Sequence, residues 1–217
     1  MSKIPVTLLL LVLVGASAAS AATVTWTDWS SQSANLVSGT MGGVSVAYSG
    51  AYFFAQTNNI GIDYWNPQAP YLSSTVSNAP DSQSVDIIAI GTGGVGETIT
   101  FSQPVMNPLL AIVSVNGPGL YFSAPFTVLS DGCGYWGCGQ LFVGANNLLY
   151  SNGEGHGVIM FQGTYSQITI DEQGFEDWRG FTIGMLPQNT VPEPGTLMLL
   201  GSGVLGLAGV LRRKLMP

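Results

Sequence analysis

The sequence predicts an all-β fold, an antiparallel β-sandwich, set between two apolar terminal segments. Three observations predict it. Short runs of β-branched and aromatic residues are separated by clusters of Gly, Pro, Asn and Asp. Glu97, Thr98, Ile99, Thr100 and Phe101 alternate cleanly, with Ile99 and Phe101 inward and the threonines outward. No stretch within residues 23–188 carries a convincing helical period.

The candidate strands follow in order. Residues 44–48 and 52–55 open the set, and 85–90 reads as a buried strand. Residues 97–101 come next, then 109–115, which is apolar but for Ser114 as in a central strand. Residues 120–122, 126–129, 140–143 and the shorter 147–150 follow. Residues 158–162, 165–170 and 181–185 complete it. The turns at 91–94, 116–119 and 151–153 are rich in residues tolerant of positive φ. Roughly eight to eleven short strands at this spacing suit a two-sheet sandwich. A jelly roll is the first choice over an immunoglobulin-like order, although periodicity does not separate the two.

Both ends read as sorting segments. Lys3 and the amino terminus form a positive region, Leu8 to Val14 a short apolar helix, and residues 16–22 a small-residue cleavage zone. Ala16/Ala18, Ala19/Ala21 and Ser20/Ala22 each fit a signal peptidase, so residues 1–22 are expected to be a signal peptide. The folded domain is then 23–186, and 187–195 is a linker containing Val191, Pro192, Glu193, Pro194 and Gly195. An uncharged apolar run covers 196–211, and Arg212, Arg213 and Lys214 follow it. Its 16 residues would reach about 24 Å as a helix, slightly short of a ~30 Å hydrocarbon core. Residues 196–217 therefore read as a short transmembrane helix and basic tail, with the basic cluster cytoplasmic and the folded domain outside.

This order of breaker, glycine-rich apolar helix and basic cluster resembles the PEP-CTERM sorting signal of Gram-negative bacteria, here spanning 191–214. The resemblance covers about an eighth of the chain. It implies export, tethering in the inner membrane facing the periplasm, and processing by an exosortase, with release to the cell surface or extracellular matrix. Signal peptidase and exosortase are the implied processing partners, and exopolysaccharide is an expected companion. Residues 154–163, 168–170 and 176–184 are similar to the final strands of PEP-CTERM ectodomains, which implies a β-sandwich and no known activity.

Charge narrows the function classes. Within the folded domain eleven acids stand against one basic residue, Arg179, and the net charge is −10, against −7 for the whole chain. Such a surface repels nucleic acid and attracts cations. Cys133 and Cys138 are the only cysteines. In an exported protein their spacing reads as a local disulfide at a loop tip.

No catalytic constellation stands out. His156 is the only histidine and sits between two glycines, and no Gly-x-Ser-x-Gly elbow exists. The chain is expected to be no enzyme, and paired carboxylates for glycan hydrolysis can be chosen from eleven acids only arbitrarily. Calcium is the one cofactor the acids suggest, at Asp171, Glu172, Glu176 and Asp177, with Asp81 and Asp86 a weaker pair. Asp63, Tyr64, Trp65 and Tyr71, with Tyr135 and Trp136 at the disulfide loop, combine aromatic faces with polar groups as a sugar-binding surface does. The competing reading has Tyr64, Trp65 and Tyr71 covering an open end of the sandwich. Two functions stand: a structural or adhesive surface protein, and a carbohydrate-binding module, with or without calcium.

Overall fold

The computed structural model describes residues 21–187, apart from Thr92, Val95, Pro118 and Phe175. The expected signal helix up to residue 20, the motif residues Val191, Pro192, Glu193, Pro194, Arg212, Arg213 and Lys214, and the expected membrane helix lie outside the described residues. Among the described residues no helix is long and apolar enough to cross a membrane.

The described residues form fifteen strands: β1 (Thr25–Trp26), β2 (Asp28–Ser33), β3 (Leu36–Met41), β4 (Val44–Ser49), β5 (Phe54–Gln56), β6 (Ile87–Ile90), β7 (Glu97–Met106), β8 (Leu109–Val115), β9 (Leu120–Phe122), β10 (Phe126–Gly132), β11 (Leu141–Val143), β12 (Leu148–Ser151), β13 (Gly155–Phe161), β14 (Thr164–Glu172) and β15 (Arg179–Met185). They form two antiparallel sheets. One runs β10-β13-β8-β15-β6-β5, with β1 also on β15; the other runs β11-β12-β9-β14-β7-β4-β3-β2. Three short 3-10 turns are the only helical elements among the described residues.

The sequence reading lacks β1, β2 and β3. In β2 only Trp29 is buried, so the strand shows no apolar alternation. It exists because it pairs with β3, which in turn pairs with β4. Such an edge hairpin is defined by its partner rather than by its own side chains.

Two hydrophobic layers hold the molecule. The inner layer lies between the sheets and includes Trp29, Tyr48, Ile99, Ile112, Phe161, Phe181 and Ile183. The outer layer covers the far face of the β8 sheet, where Leu109, Ala111, Val113, Ile87 and Val158 pack against Trp65, Tyr71, Val76 and Ala79. Residues 57–86, without a strand of their own, supply that cover. All seven residues of β8 are therefore buried, alternately toward the two layers. This explains its apolar run, which Ser114 alone interrupts.

Carboxylates latch the cover in place. Asp86 accepts the backbone N–H of Trp29 at 2.9 Å and of Asn59 at 2.7 Å. Asp81 accepts from Gln68 Nε2 at 2.8 Å. These two acids hold the segment down and do not face a common ligand.

Candidate functional site

Alternate connections emerge at the same end of the sandwich. The links β4–β5, β6–β7, β8–β9, β10–β11, β12–β13 and β14–β15 share one end and surround a cleft of about 830 Å³. Phe53 comes from the first link and Gly91 from the second, while Ser114 and Asn116 come from the end of β8. Trp136 and Glu154 follow, and Glu176, Asp177 and Trp178 come from the last link.

A β-bulge shapes one wall. Val115 pairs with Gly155 and Ile112 with Gly157, so Val113 and Ser114 together oppose His156. Ser114 takes φ 61°. The other non-glycine residues at positive φ among the described residues are all Asn, which tolerates that region. A serine held there inside a strand marks a re-aimed side chain, as bulges near sites do. Ser114 Oγ donates to Glu154 Oε2 at 2.5 Å, and Asn116 Nδ2 donates to Glu154 Oε1 at 2.7 Å. Both oxygens of Glu154 are thus oriented at the cleft wall.

The floor holds a buried ion pair. Arg179 Nε lies 2.8 Å from Glu176 Oε2, with the two side chains 1% and 5% exposed. Arg179 Nη1 donates to the Gly119 carbonyl at 2.7 Å. Glu176 Oε1 is inaccessible to solvent, and the Asn116 backbone amide also bonds this carboxyl. Burial pushes the Glu176 carboxyl up to about 7, with Arg179 opposing and Glu154 adding to the rise.

The rim is aromatic. Tyr64 contacts Tyr135 and Trp178, each at a centroid distance of 5.0 Å, and Trp136 lies 6.1 Å from Trp178. Phe54 closes the nest against Trp178 at 5.1 Å. Trp136 remains 52% exposed and Tyr135 41% exposed. The loop that carries them is closed by the Cys133–Cys138 disulfide, as the spacing predicts.

The expected sugar-contacting residues therefore separate. Tyr64, Tyr135 and Trp136 meet at the cleft rim. Trp65 and Tyr71 are fully buried, 5.3 Å apart between ring centroids, in the outer hydrophobic layer. They cover the β8 sheet and present no face to solvent, a correction to the platform reading. Asp63 accepts the Trp65 backbone N–H at 3.0 Å and so orders the cover. Burial raises its carboxyl above the usual range.

The expected calcium ligands separate too. Glu176 and Asp177 line the cleft, whereas Asp171 and Glu172 accept the backbone N–H groups of Gly96 and Gly94 at 2.5 and 3.2 Å. Among the described residues no three His, Cys, Asp or Glu side chains gather to hold a metal ion. Four acids close in sequence are divided because β14 ends between them and the chain turns over the sandwich end.

His156 lies fully buried beside the bulge, with Nδ1 3.4 Å from the Tyr71 hydroxyl. Burial lowers it to about 4, so it is neutral at physiological pH. The sequence reading missed Glu154, Ser114, Asn116 and Trp178 as site residues. The signal available for them was positional: all lie in or beside alternate Gly-rich or Asn-rich connections.

The model of the PEP-CTERM protein-sorting motif matches residues 190–214. No curated protein and no solved structure matches the chain. The chain carries a PEP-CTERM protein-sorting motif behind its β-sandwich, and that motif implies export and membrane-anchored processing by an exosortase.

Proposed function

We propose that this chain is a non-catalytic adhesive protein of the cell surface or extracellular matrix, and that it holds saccharide in the cleft at the loop-rich end of its sandwich. The observation that carries the reading is the exposed Trp136 ring, set beside Trp178 in the cleft that the oriented carboxylate of Glu154 also lines. Sugar rings offer C–H faces that stack on aromatic rings and hydroxyls that donate to carboxylates. A cleft of about 830 Å³ lies in the range of ligand sites. The strand orders β6-β15-β8-β13 and β7-β14-β9-β12 support a jelly-roll connection, with β10 and β11 inserted. Before processing, the C-terminal segment tethers the domain to the inner membrane on the periplasmic side.

Calcium is not needed for this contact. Glu154 and Glu176 are held by Ser114, Asn116 and Arg179, and Asp171 and Glu172 by backbone amides. Chelation is expected to leave binding unchanged.

Glycan hydrolysis is the second reading. One observation favours it: Glu154 and Glu176 share the cleft, and burial holds Glu176 near 7 as a general acid requires. The ion pair weighs against it, because a carboxyl 5% exposed and paired with Arg179 at 2.8 Å does not reach a glycosidic oxygen. The test is titration calorimetry of the detergent-solubilised full chain with neutral, acidic and amine-bearing oligosaccharides. Heat that disappears in Trp136→Ala supports the reading. Absence of heat with every oligosaccharide at millimolar concentration removes it, and release of new reducing ends establishes the enzyme instead.

A further inference from the structure

Resting on the saccharide reading above, we propose that the cleft is an elongated groove for an internal stretch of a linear β-linked hexose chain, in which Phe53 is a second aromatic subsite at the end far from Glu154.

The groove follows the end of one sheet. Glu154 stands just before β13, Asn116 just after β8, Trp178 just before β15, Gly91 just after β6 and Phe53 just before β5. Those five strands are consecutive neighbours in the sheet, in the order β13-β8-β15-β6-β5. Four strand spacings separate the first from the last, which is about 19 Å at about 4.8 Å each. A disaccharide does not fill such a length, whereas a longer chain laid across the strand ends does. The volume of about 830 Å³ is likewise near the top of the roughly 300–1,000 Å³ usual for ligand sites.

Phe53 gives the second, independent observation. It is 60% exposed, more than Trp136 at 52%, and it lines the cleft. The sheet fixes its position, because its backbone N–H donates to the Ala89 carbonyl of β6 at 2.7 Å. Its neighbour Phe54 packs into the aromatic nest against Trp178 and Tyr64, so Phe53 is not needed there. In strand order Gly91 lies between Trp178 and Phe53 and adds no side chain; a Cβ there would meet the Glu176 and Trp178 backbone at 2.9 Å. The groove thus carries Trp136 beside Trp178, Phe53 at one end and the oriented oxygens of Glu154 at the other. A hexose chain offers the matching mixture, since its C–H faces stack on rings while its hydroxyls donate to carboxylate and amide oxygens. β-Linked chains with equatorial hydroxyls are flat, so separate rings can each hold a different unit of one chain. An apolar ligand would instead bury the Glu154 charge against no further donor, which is costly.

The test is calorimetry on the full chain, in a detergent without a sugar headgroup, with cellobiose, cellotetraose and cellohexaose. The tetraose is expected to bind about tenfold more tightly than cellobiose, the factor that one added stacking contact supplies. Phe53→Ala should remove that gain, so that tetraose and cellobiose bind alike, without changing the thermal midpoint; Phe53→Tyr should keep it. Cellohexaose whose reducing end has been opened by borohydride should bind as the untreated hexaose does. Equal affinity for cellobiose and the hexaose, or a length dependence that survives Phe53→Ala, overturns the elongated groove while leaving the saccharide reading intact. Loss of binding on borohydride treatment makes this a chain-end site and overturns it too. If no cello-oligosaccharide binds at millimolar concentration, the groove proposal falls. Heat from another sugar of the panel above then keeps the saccharide reading, and silence from all of them removes both.

Discussion

Arg179 and Glu176 form an ion pair of 2.8 Å beneath the cleft, and Arg179 is the only arginine of the folded domain. The pair ties the start of β15 to the link before it. Through Nη1 it also ties both to the β8–β9 link at Gly119. Removing one member of a buried pair leaves the other charge uncompensated. Arg179→Met is therefore expected to cost about 3–5 kcal/mol, read by urea denaturation. The double variant Arg179→Met with Glu176→Gln should be less damaging than the single change. A double variant that is worse would mean that Arg179 acts through its bond to Gly119 alone.

Stability should fall as pH rises through the neutral range. Burial holds Glu97 at about 8 and Glu176 at about 7, above the 4.5 of a free glutamate. The folded state then binds more protons than the unfolded state between these values, so each group's contribution is complete below 4.5 and is lost toward 7–8. For Glu97 the neighbouring Glu172 carboxylate adds to the rise, and Tyr48 is pushed up in turn, mainly by its own burial. His156 acts oppositely. Lowered to about 4 from 6.5, it destabilises the fold only below 6.5. Two carboxyls outweigh one imidazole above pH 4.5, so thermal midpoints should fall continuously from pH 4.5 to 8, and Glu97→Gln should flatten the alkaline limb. An alkaline limb equally steep in that variant would contradict the assignment to Glu97.

Trp65 separates packing from binding. It is fully buried against Tyr71, so Trp65→Ala should cost about 3–5 kcal/mol. Trp136→Ala, at a residue 52% exposed, should leave the thermal midpoint nearly unchanged and remove saccharide binding. Paired denaturation and binding curves read both effects, and the reverse pattern would return the platform to Trp65.

The disulfide loop rests on His156. A Cβ added at Gly134 would collide with the His156 ring. Gly134→Ala is expected to destabilise the protein by about 1–3 kcal/mol through this overpacking. Replacing Cys133 and Cys138 by Ser opens a short loop and should cost about 2 kcal/mol. The larger consequence should be for binding, because Trp136 would lose its fixed position. Melting curves of both variants, with the saccharide titration, check the two halves.

Ala22 selects among the cleavage sites. It bridges Val76, donating its backbone N–H to Thr75 O at 2.9 Å and accepting from Ser77 at 3.0 Å. Cleavage after Ala22 would discard those bonds, whereas cleavage after Ala18 or Ala21 keeps them. Mass spectrometry of the exported chain should find a mature N-terminus at or before Ala22.

Much of this molecule was legible locally. The alternation over residues 97–101, the largely apolar β8 and the Cys133–Cys138 pairing each depend on residues within a few positions of one another. So does the sorting motif, whose match at 190–214 is a contiguous signal. The sequence determined the all-β class, the sorting motif and the acidity of the domain by itself, because period, composition and motif order are properties of neighbouring residues. The tertiary structure alone decided the site. Ser114 meets Glu154 across 40 positions, and Trp136 meets Trp178, because strand parity brings alternate connections to one end. The same long-range packing decided that Trp65 and Tyr71 face β8 rather than solvent, since their burial depends on a sheet whose strands lie far from them in the chain.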